Sequence, residues 1–256
     1  VQQGHESSYG RMFAGHYDKV RPRDAEAEAT AAMLADLAPK HGKILEFGVG
    51  TGRIAVPLAR IAGPVTGVDS SPEMIDVLHR DEHDGASDVF TVCSDMRGYD
   101  DGERYALVYC VAGTLSALDT PEEQQKTVFE WAGLVADGGT LVIEMQNPEA
   151  IERMHGGRMV DTVFKARPDS DSGVLVSRAL APDHSVWEIS SAYFENGSVR
   201  VTQEKCHLAP PERFDAPAAQ AGLELADRFG DWQGGPLNAG CGTYISVYRR
   251  SRSPHS

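Results

Sequence analysis

One short run constrains this chain more than any other. Lys43-Ile44-Leu45-Glu46-Phe47, rich in strand-forming residues, passes without a linker into Gly48-Val49-Gly50-Thr51-Gly52-Arg53. Glycines placed directly after a strand permit a sharp turn and let a ligand approach bare backbone. That combination points to an open α/β sheet, in which ligands sit outside the C-terminal ends of the strands near the point where strand order reverses. A plain tight turn is the bland alternative, and three glycines at alternate positions argue against it.

The flanking sequence keeps a strand–helix rhythm from Lys43 to Val142, the signature of βαβ units. Val65–Asp69, Val89–Cys93, Tyr105–Val111 and Thr140–Met145 read as further strands. Ser70-Ser71-Pro72-Glu73 supplies an N-cap, a first-turn proline and an early acid, so a helix starts there. Pro121, with Glu122 and Glu123 in its first turn, opens another that runs to about Val135. The character changes after Asn147-Pro148. Val174–Leu180, Val186–Phe194 and Val199–His207 predict three antiparallel strands joined by Asp183-His184 and Asn196-Gly197, the second a strong hairpin signal. Pro211–Ala221 then reads as a helix closed by Gly222, followed by closing strands Leu223–Phe229 and Thr243–Tyr248. The tail from Arg249 to Arg252 reads as short, basic and frayed.

Composition narrows the partners. Thirty-eight acidic residues against 24 basic ones give a net charge of −14. Nucleic-acid affinity comes from neutralising phosphates with Lys and Arg, so this balance argues against a nucleic-acid or anionic-membrane partner and leaves a small molecule open. Cys93, Cys110, Cys206 and Cys241 form no C-x-x-C pair and read as reduced, packed thiols. No apolar run is long enough for a membrane span and no signal-peptide core is visible, so a soluble, cytoplasmic protein is expected.

The loop itself discriminates between ligands. A dinucleotide fingerprint needs a glycine three residues after the second one, and counting from Gly50 that position is Arg53. The pattern is instead G-x-G-x-G preceded by an acid, Glu46. It resembles the first motif of class I methyltransferases that use S-adenosylmethionine. The resemblance continues at Asp69, which ends the second strand 21 residues after Gly48, and at Asp95-Met96 after the third. It extends to the N-terminal segment Met12-Phe13-Ala14-Gly15-His16-Tyr17-Asp18, which is similar to the A-x-x-Y-D lid of small-molecule methyltransferases. With the antiparallel insertion, the layout resembles amino-sugar N-methyltransferases and related natural-product enzymes over residues 9–249.

The resemblance implies a Rossmann-like, seven-stranded, mostly parallel sheet. A helical lid would occupy 1–40, the core 41–148 and 208–249, the insertion 149–207, and a disordered tail 250–256. The implied cofactor is S-adenosylmethionine, held by Tyr17, Glu46, Gly48, Gly50, Gly52, Arg53, Asp69, Ser70, Met74, Asp95, Met96, Val111 and Ala112. In that family the first acid orders the loop and the methionine end, the second accepts from the ribose hydroxyls, and the third from the adenine amino group. The acids also suit a cationic sulfonium better than a basic site would. The implied partner is a small-molecule acceptor, with a homodimer possible and no metal.

Methyl transfer from an activated donor needs alignment and desolvation, and a base where the acceptor starts protonated. His16 and Tyr17 are the catalytic candidates. Tyr9, Phe13, Glu144, Gln146, Trp187, Tyr193 and Trp232 are the acceptor-binding candidates, the last two tryptophans and Tyr193 as an aromatic wall. His155, His184 and His207 lie around the insertion. His79 and His83, four apart among acids, read as solvated rather than metal-binding. Where several amino-sugar enzymes carry a histidine after the fourth strand, this chain reads Leu115-Ser116-Ala117-Leu118, so the acceptor stays open: amine, amino sugar, or aromatic or indole compound, methylated on nitrogen or carbon. A catalytically silent adenosyl-binding protein and a nicotinamide-dependent oxidoreductase are the competing readings.

Overall fold

A computed structural model describes residues 10, 13–80, 85–168, 171–195 and 197–252. Two short N-terminal helices, α1 (Tyr17–Val20) and α2 (Ala25–Leu37), precede a first run of alternating elements. These are β1 (Ile44–Phe47), α3 (Ala55–Ala62), β2 (Val65–Asp69), α4 (Pro72–His79), β3 (Val89–Cys93), β4 (Tyr105–Cys110), α5 (Pro121–Leu134) and β5 (Val135–Gln146). The helix starts follow from their caps. Asp24, Ser71 and Thr120 each accept a hydrogen bond from a backbone N–H three residues on, and the last two precede a proline.

After β5 come α6 (Pro148–His155), β6 (Val160–Ala166), β7 (Gly173–Leu180), β8 (Val186–Glu195) and β9 (Ser198–His207). A 3-10 turn at Pro211–Phe214 leads into α7 (Asp215–Gln220), β10 (Leu223–Phe229) and β11 (Thr243–Arg250). The main sheet has the order β10-β11-β5-β4-β1-β2-β3. β1 pairs in parallel with both β2 and β4, while β11 runs antiparallel between β5 and β10. The sheet is the expected seven-stranded, mostly parallel one, and strand order reverses beside β1.

β1 and β4 are buried along their whole length, as central strands covered on both faces must be. One apolar layer contains Phe47, Trp131 and Tyr248; the other contains Leu58, Leu107 and Val247. The Phe47 and Trp131 rings stack with centroids 4.5 Å apart.

The insertion differs from its expected form. It has four antiparallel strands in the order β6-β7-β8-β9, with α6 leading in, not three strands alone. β11 also continues through Arg250, whose guanidinium donates to the carbonyls of Ala132 and Val135 at 2.7 and 2.9 Å, so this part of the basic tail is pinned rather than frayed. Cys110 and Cys206 are buried thiols, but Cys93 is exposed at the end of the sheet's edge strand. Asn196 lies outside the described residues, although Glu195 and Ser198 pair across the hairpin. Among the described residues, no helix is long and apolar enough to cross a membrane.

Candidate functional site

The glycine run leaves β1 at the C-terminal edge of the sheet. The N–H groups of Gly48 and Val49 both donate to the Val68 carbonyl, at 2.8 and 3.1 Å, which folds the loop back over β2. Gly48 has φ +75°, and a Cβ there would lie 2.5 Å from the Thr114 side chain. Gly50 also has positive φ, yet a Cβ there would meet nothing within 4 Å. Gly48 therefore packs the loop onto the turn after β4, while Gly50 presents backbone to open space. That open backbone, beside the carboxyls of Glu46 and Asp69, fits a sulfonium-bearing amino acid.

Glu46 is buried beneath the loop, where the Tyr109 hydroxyl donates to its Oε2 at 2.8 Å. Burial pushes its carboxyl up to about 8 despite that bond. Asp69 accepts from Gly50 N–H and Ser71 N–H, both at 2.8 Å, so one carboxylate joins the glycine loop to the start of α4. Burial raises this group above the usual carboxylate range. Ser70 is exposed, whereas its neighbour Ser71 is buried and caps α4 through the Met74 N–H. Asp95 is held by the Arg97 guanidinium, with Nη2 to Oδ2 at 2.6 Å, and the pairing keeps it below its ordinary range. Met96 packs at the margin of the core.

The N-terminal segment is tied to this loop by contacts the sequence did not predict. Thr51 donates through its hydroxyl to Asp18 at 2.7 Å and accepts at its carbonyl from Arg23 at 2.7 Å. Arg53 donates to the Pro22 carbonyl at 3.1 Å and lies 3.6 Å from Asp24. Arg53 thus secures the N-terminal segment. Phe13, Ala14 and Met74 form a small buried cluster, against which Tyr17, Val20, Val77 and Tyr193 pack. Tyr193 comes from β8, so segment and insertion meet. Tyr9 and Met12 lie outside the described residues.

The two catalytic candidates face different surroundings. The Tyr17 phenol, raised by burial, feels the cations Arg21 and Arg53 and then the acids Glu204, on the insertion side, and Glu46, on the glycine-loop side. His16 is only 5% exposed, its Nε2 has no hydrogen-bond partner, and its ring meets Tyr193 edge-on at 5.0 Å. Burial lowers its pKa, and the charges acting on it belong to Glu195, Arg200, Lys19 and Arg167. His16 belongs to the seam between lid and insertion.

Three acceptor-binding candidates have structural partners. Glu144 is buried and accepts from the Ala112 N–H at 2.7 Å and the Trp232 indole N–H at 3.0 Å. Trp232 is therefore a core side chain, not part of an aromatic wall. Ala112 has φ +56°, a costly conformation for an L residue, and Glu144 grips its N–H. Val111 is buried just before it. Trp187 donates to His155 Nε2 at 3.1 Å, while His155 Nδ1 lies 2.9 Å from the Arg158 carbonyl. That pair ties α6 to the insertion sheet.

Gln146 stays at the cleft: its Nε2 lies 3.6 Å from Cys206 Sγ, and its Oε1 is buried without a partner. His184 pairs with Glu152 on the surface, and His207 is half-buried, 3.7 Å from Asp119. His79 contacts Thr91, while His83 lies outside the described residues. Among the described residues, no three metal-ligating side chains cluster.

Comparison with known proteins agrees with this geometry. Residues 44–139 match the methyltransferase domain family. The chain is 24% identical over 196 residues to the glycine/sarcosine N-methyltransferase of Aphanothece halophytica, covering 73% of this chain and 74% of that one. It is 27% identical over 146 residues to the dTDP-3-amino-3,6-dideoxy-alpha-D-glucopyranose N,N-dimethyltransferase of Streptomyces fradiae, covering 55% and 56%. The solved CcbJ methyltransferase of Streptomyces caelestis superposes with a TM-score of 0.83 at 28% identity, over 98% of this chain and 100% of that one. The strand order, the glycine loop with its acids, and these likenesses together show a methyltransferase domain at residues 44–139 within a Rossmann-like methyltransferase fold, the domain and fold of an S-adenosylmethionine-dependent methyltransferase.

Proposed function

We propose that this enzyme methylates a nitrogen of a small-molecule acceptor, an amine or amino sugar such as occurs among natural-product intermediates. The observation that carries the reading is Glu204, a partly buried acid on the inward face of β9 with no hydrogen bond or close ion pair among the described residues. An acid so placed favours a partner that donates hydrogen bonds or carries positive charge. The names of the two curated relatives, both N-methyltransferases, support it.

In this reading Gly50 backbone and Glu46 receive the methionine end, Asp69 uses its remaining lone pairs for the ribose, and Asp95 with Met96 flanks the adenine. S-Adenosylmethionine supplies an activated methyl on a sulfonium. Val111 and Ala112 border that centre, with Ala112 N–H fixed by Glu144. The Tyr17 ring closes the site on the lid side and excludes water, so that the acceptor nitrogen is aligned and desolvated before displacement. Phe13, Met74 and Tyr193 hold the lid in that position.

The test is transfer from S-adenosylmethionine labelled in its methyl group to a panel of amines, phenols and indoles, with the methylated atom identified by NMR. Methyl attached to nitrogen is the expected result, and transfer confined to oxygen or carbon would overturn the reading. Site roles are tested by calorimetry with S-adenosylhomocysteine. Asp69→Ala is expected to weaken binding by at least about tenfold, or about 1.4 kcal/mol.

A further inference from the structure

β9 alternates along its C-terminal half. Thr202 and Cys206 are buried on the inward face, and Glu204, between them on the same face, is partly buried, while Gln203 and Lys205 point out and are exposed. Cys206 fixes where that face looks. It contacts Gln146 at the end of β5, and Ser116 from the turn after β4 acts on it as well. Glu204 therefore projects beside the C-terminal ends of β4 and β5, and it acts electrostatically on Tyr17 of the lid. The carboxylates on the opposite side of the cleft behave differently. Glu46, Asp69, Asp95 and Glu144 each accept a donor from a fixed partner.

Glu204 has no hydrogen bond or close ion pair among the described residues; Arg21 is the cation that acts on it. Arg178, two strands away in the same cross-strand row, is neutralised by Asp161 at 3.1 Å. Gln146, which contacts Cys206 two residues along the strand from Glu204, has a buried Oε1 that also lacks a donor. A carboxylate and an amide oxygen, both without donors, thus flank one thiol at the edge of the proposed methyl-transfer site. An ammonium group brings the donors that both lack.

We infer that Glu204 binds the ammonium group of the amine acceptor beside Gln146 and Tyr17 and removes its proton before methyl transfer. The inference rests on the nitrogen-acceptor reading above. The step balances as follows. The Glu204 carboxylate takes one proton from the ammonium to become a carboxylic acid, and the nitrogen regains its lone pair. That pair then forms the N–C bond to the methyl carbon, the C–S bond breaks, and its electrons neutralise the sulfonium. The product leaves as an N-methylammonium ion, and Glu204 returns its proton to water. The charged and titratable groups facing Glu204 are Arg21 and Tyr17 of the lid and Cys206 of its own strand.

The experiment uses the full chain and its Glu204→Gln and Glu204→Asp variants. Each is first checked for folding by thermal melting and for cofactor binding with S-adenosylhomocysteine. Probes are 3-amino-3-deoxyglucose, sarcosine and ethanolamine, with glucose and ethylene glycol as neutral controls. They are assayed for turnover and, with S-adenosylhomocysteine bound, for calorimetric binding. The expected result is amine turnover by the parent chain and a loss in kcat/KM on the order of 10²-fold for Glu204→Gln near neutral pH. That loss should shrink as pH approaches the pKa of the free ammonium, with partial activity in Glu204→Asp and unchanged S-adenosylhomocysteine affinity.

Amine turnover that is the same in Glu204→Gln at every pH would overturn the role of Glu204 and leave the nitrogen-acceptor reading standing. A loss in Glu204→Gln that is equal at all pH values would also overturn proton removal. Amines that neither react nor bind, or controls that do so equally, would overturn both.

Discussion

The two sides of the strand-end cleft handle carboxylates in opposite ways. Beside β1, β2 and β5 the acids are occupied: Glu46 by a phenol, Asp69 by two backbone N–H groups, and Glu144 by a backbone N–H and an indole. On the insertion sheet, Glu204 keeps its acceptor capacity free. Acids of the first kind define loop positions and tolerate burial because each has a donor. An acid of the second kind is costly to leave partly desolvated, and that cost is recovered only when a cation arrives. The difference separates the part of the cleft that is preorganised from the part that waits for an acceptor.

Five substitutions test that division, beginning with the largest effect. Glu144→Ala strands the Ala112 N–H and the Trp232 indole, and should lower stability by about 2–5 kcal/mol in chemical denaturation. Glu204→Gln should leave stability unchanged or raise it in the same assay. A large loss there would erase the contrast.

A pH series sharpens the comparison further. The Glu46 carboxyl stands at about 8 when folded against 4.5 ordinarily. Its contribution is therefore fully present below about pH 4.5 and is lost as pH rises through about 8. Glu46→Gln keeps an acceptor for Tyr109 and should flatten that part of the stability profile, measured as denaturation midpoints between pH 5 and 9. An unchanged slope would show that Glu46 is ionised in the folded chain.

Trp187→Phe removes one indole donor to His155 and should cost about 1 kcal/mol without altering S-adenosylhomocysteine affinity. Asp95→Ala is expected to have a small effect on folding, within about 1 kcal/mol, because its partner Arg97 is on the surface.

The glycine loop and its acids were legible because each position depends on the residue's place at a strand end, which local pattern reports. Asp69 and Asp95 follow their strands for that reason. Glu144 and Trp232 were not legible, since they bond across 88 residues of chain and nothing near either residue signals the other. Trp187 and His155 misled in the same way. The insertion's extra helix did carry a signal, Asn147 before Pro148 and Glu149, and Asn147 does accept from the Glu149 N–H. β6 hid because Val160–Ala166 mixes Asp, Thr and Lys into a strand that forms a sheet edge. Glu204 emerges only from strand parity combined with the contacts of Cys206. The ties from Thr51 and Arg53 to the lid needed three-dimensional neighbours as well.

The pairing of β5 with β11 joins Gln146 to Thr243, and the whole antiparallel sheet is strung between those two strands. In polymer terms the insertion is the body of a closed loop, and doubling the length of a flexible loop costs only about 0.6 kcal/mol. A segment of different length can therefore replace residues 147–209 at modest entropic cost to the seven-stranded sheet. What such an exchange would change is the face that carries Glu204, while the turn holding Gly50 and Asp69 would remain in place. In the proposed reading, donor recognition and acceptor recognition meet at one covalent junction, so evolution can revise the second without relearning the first.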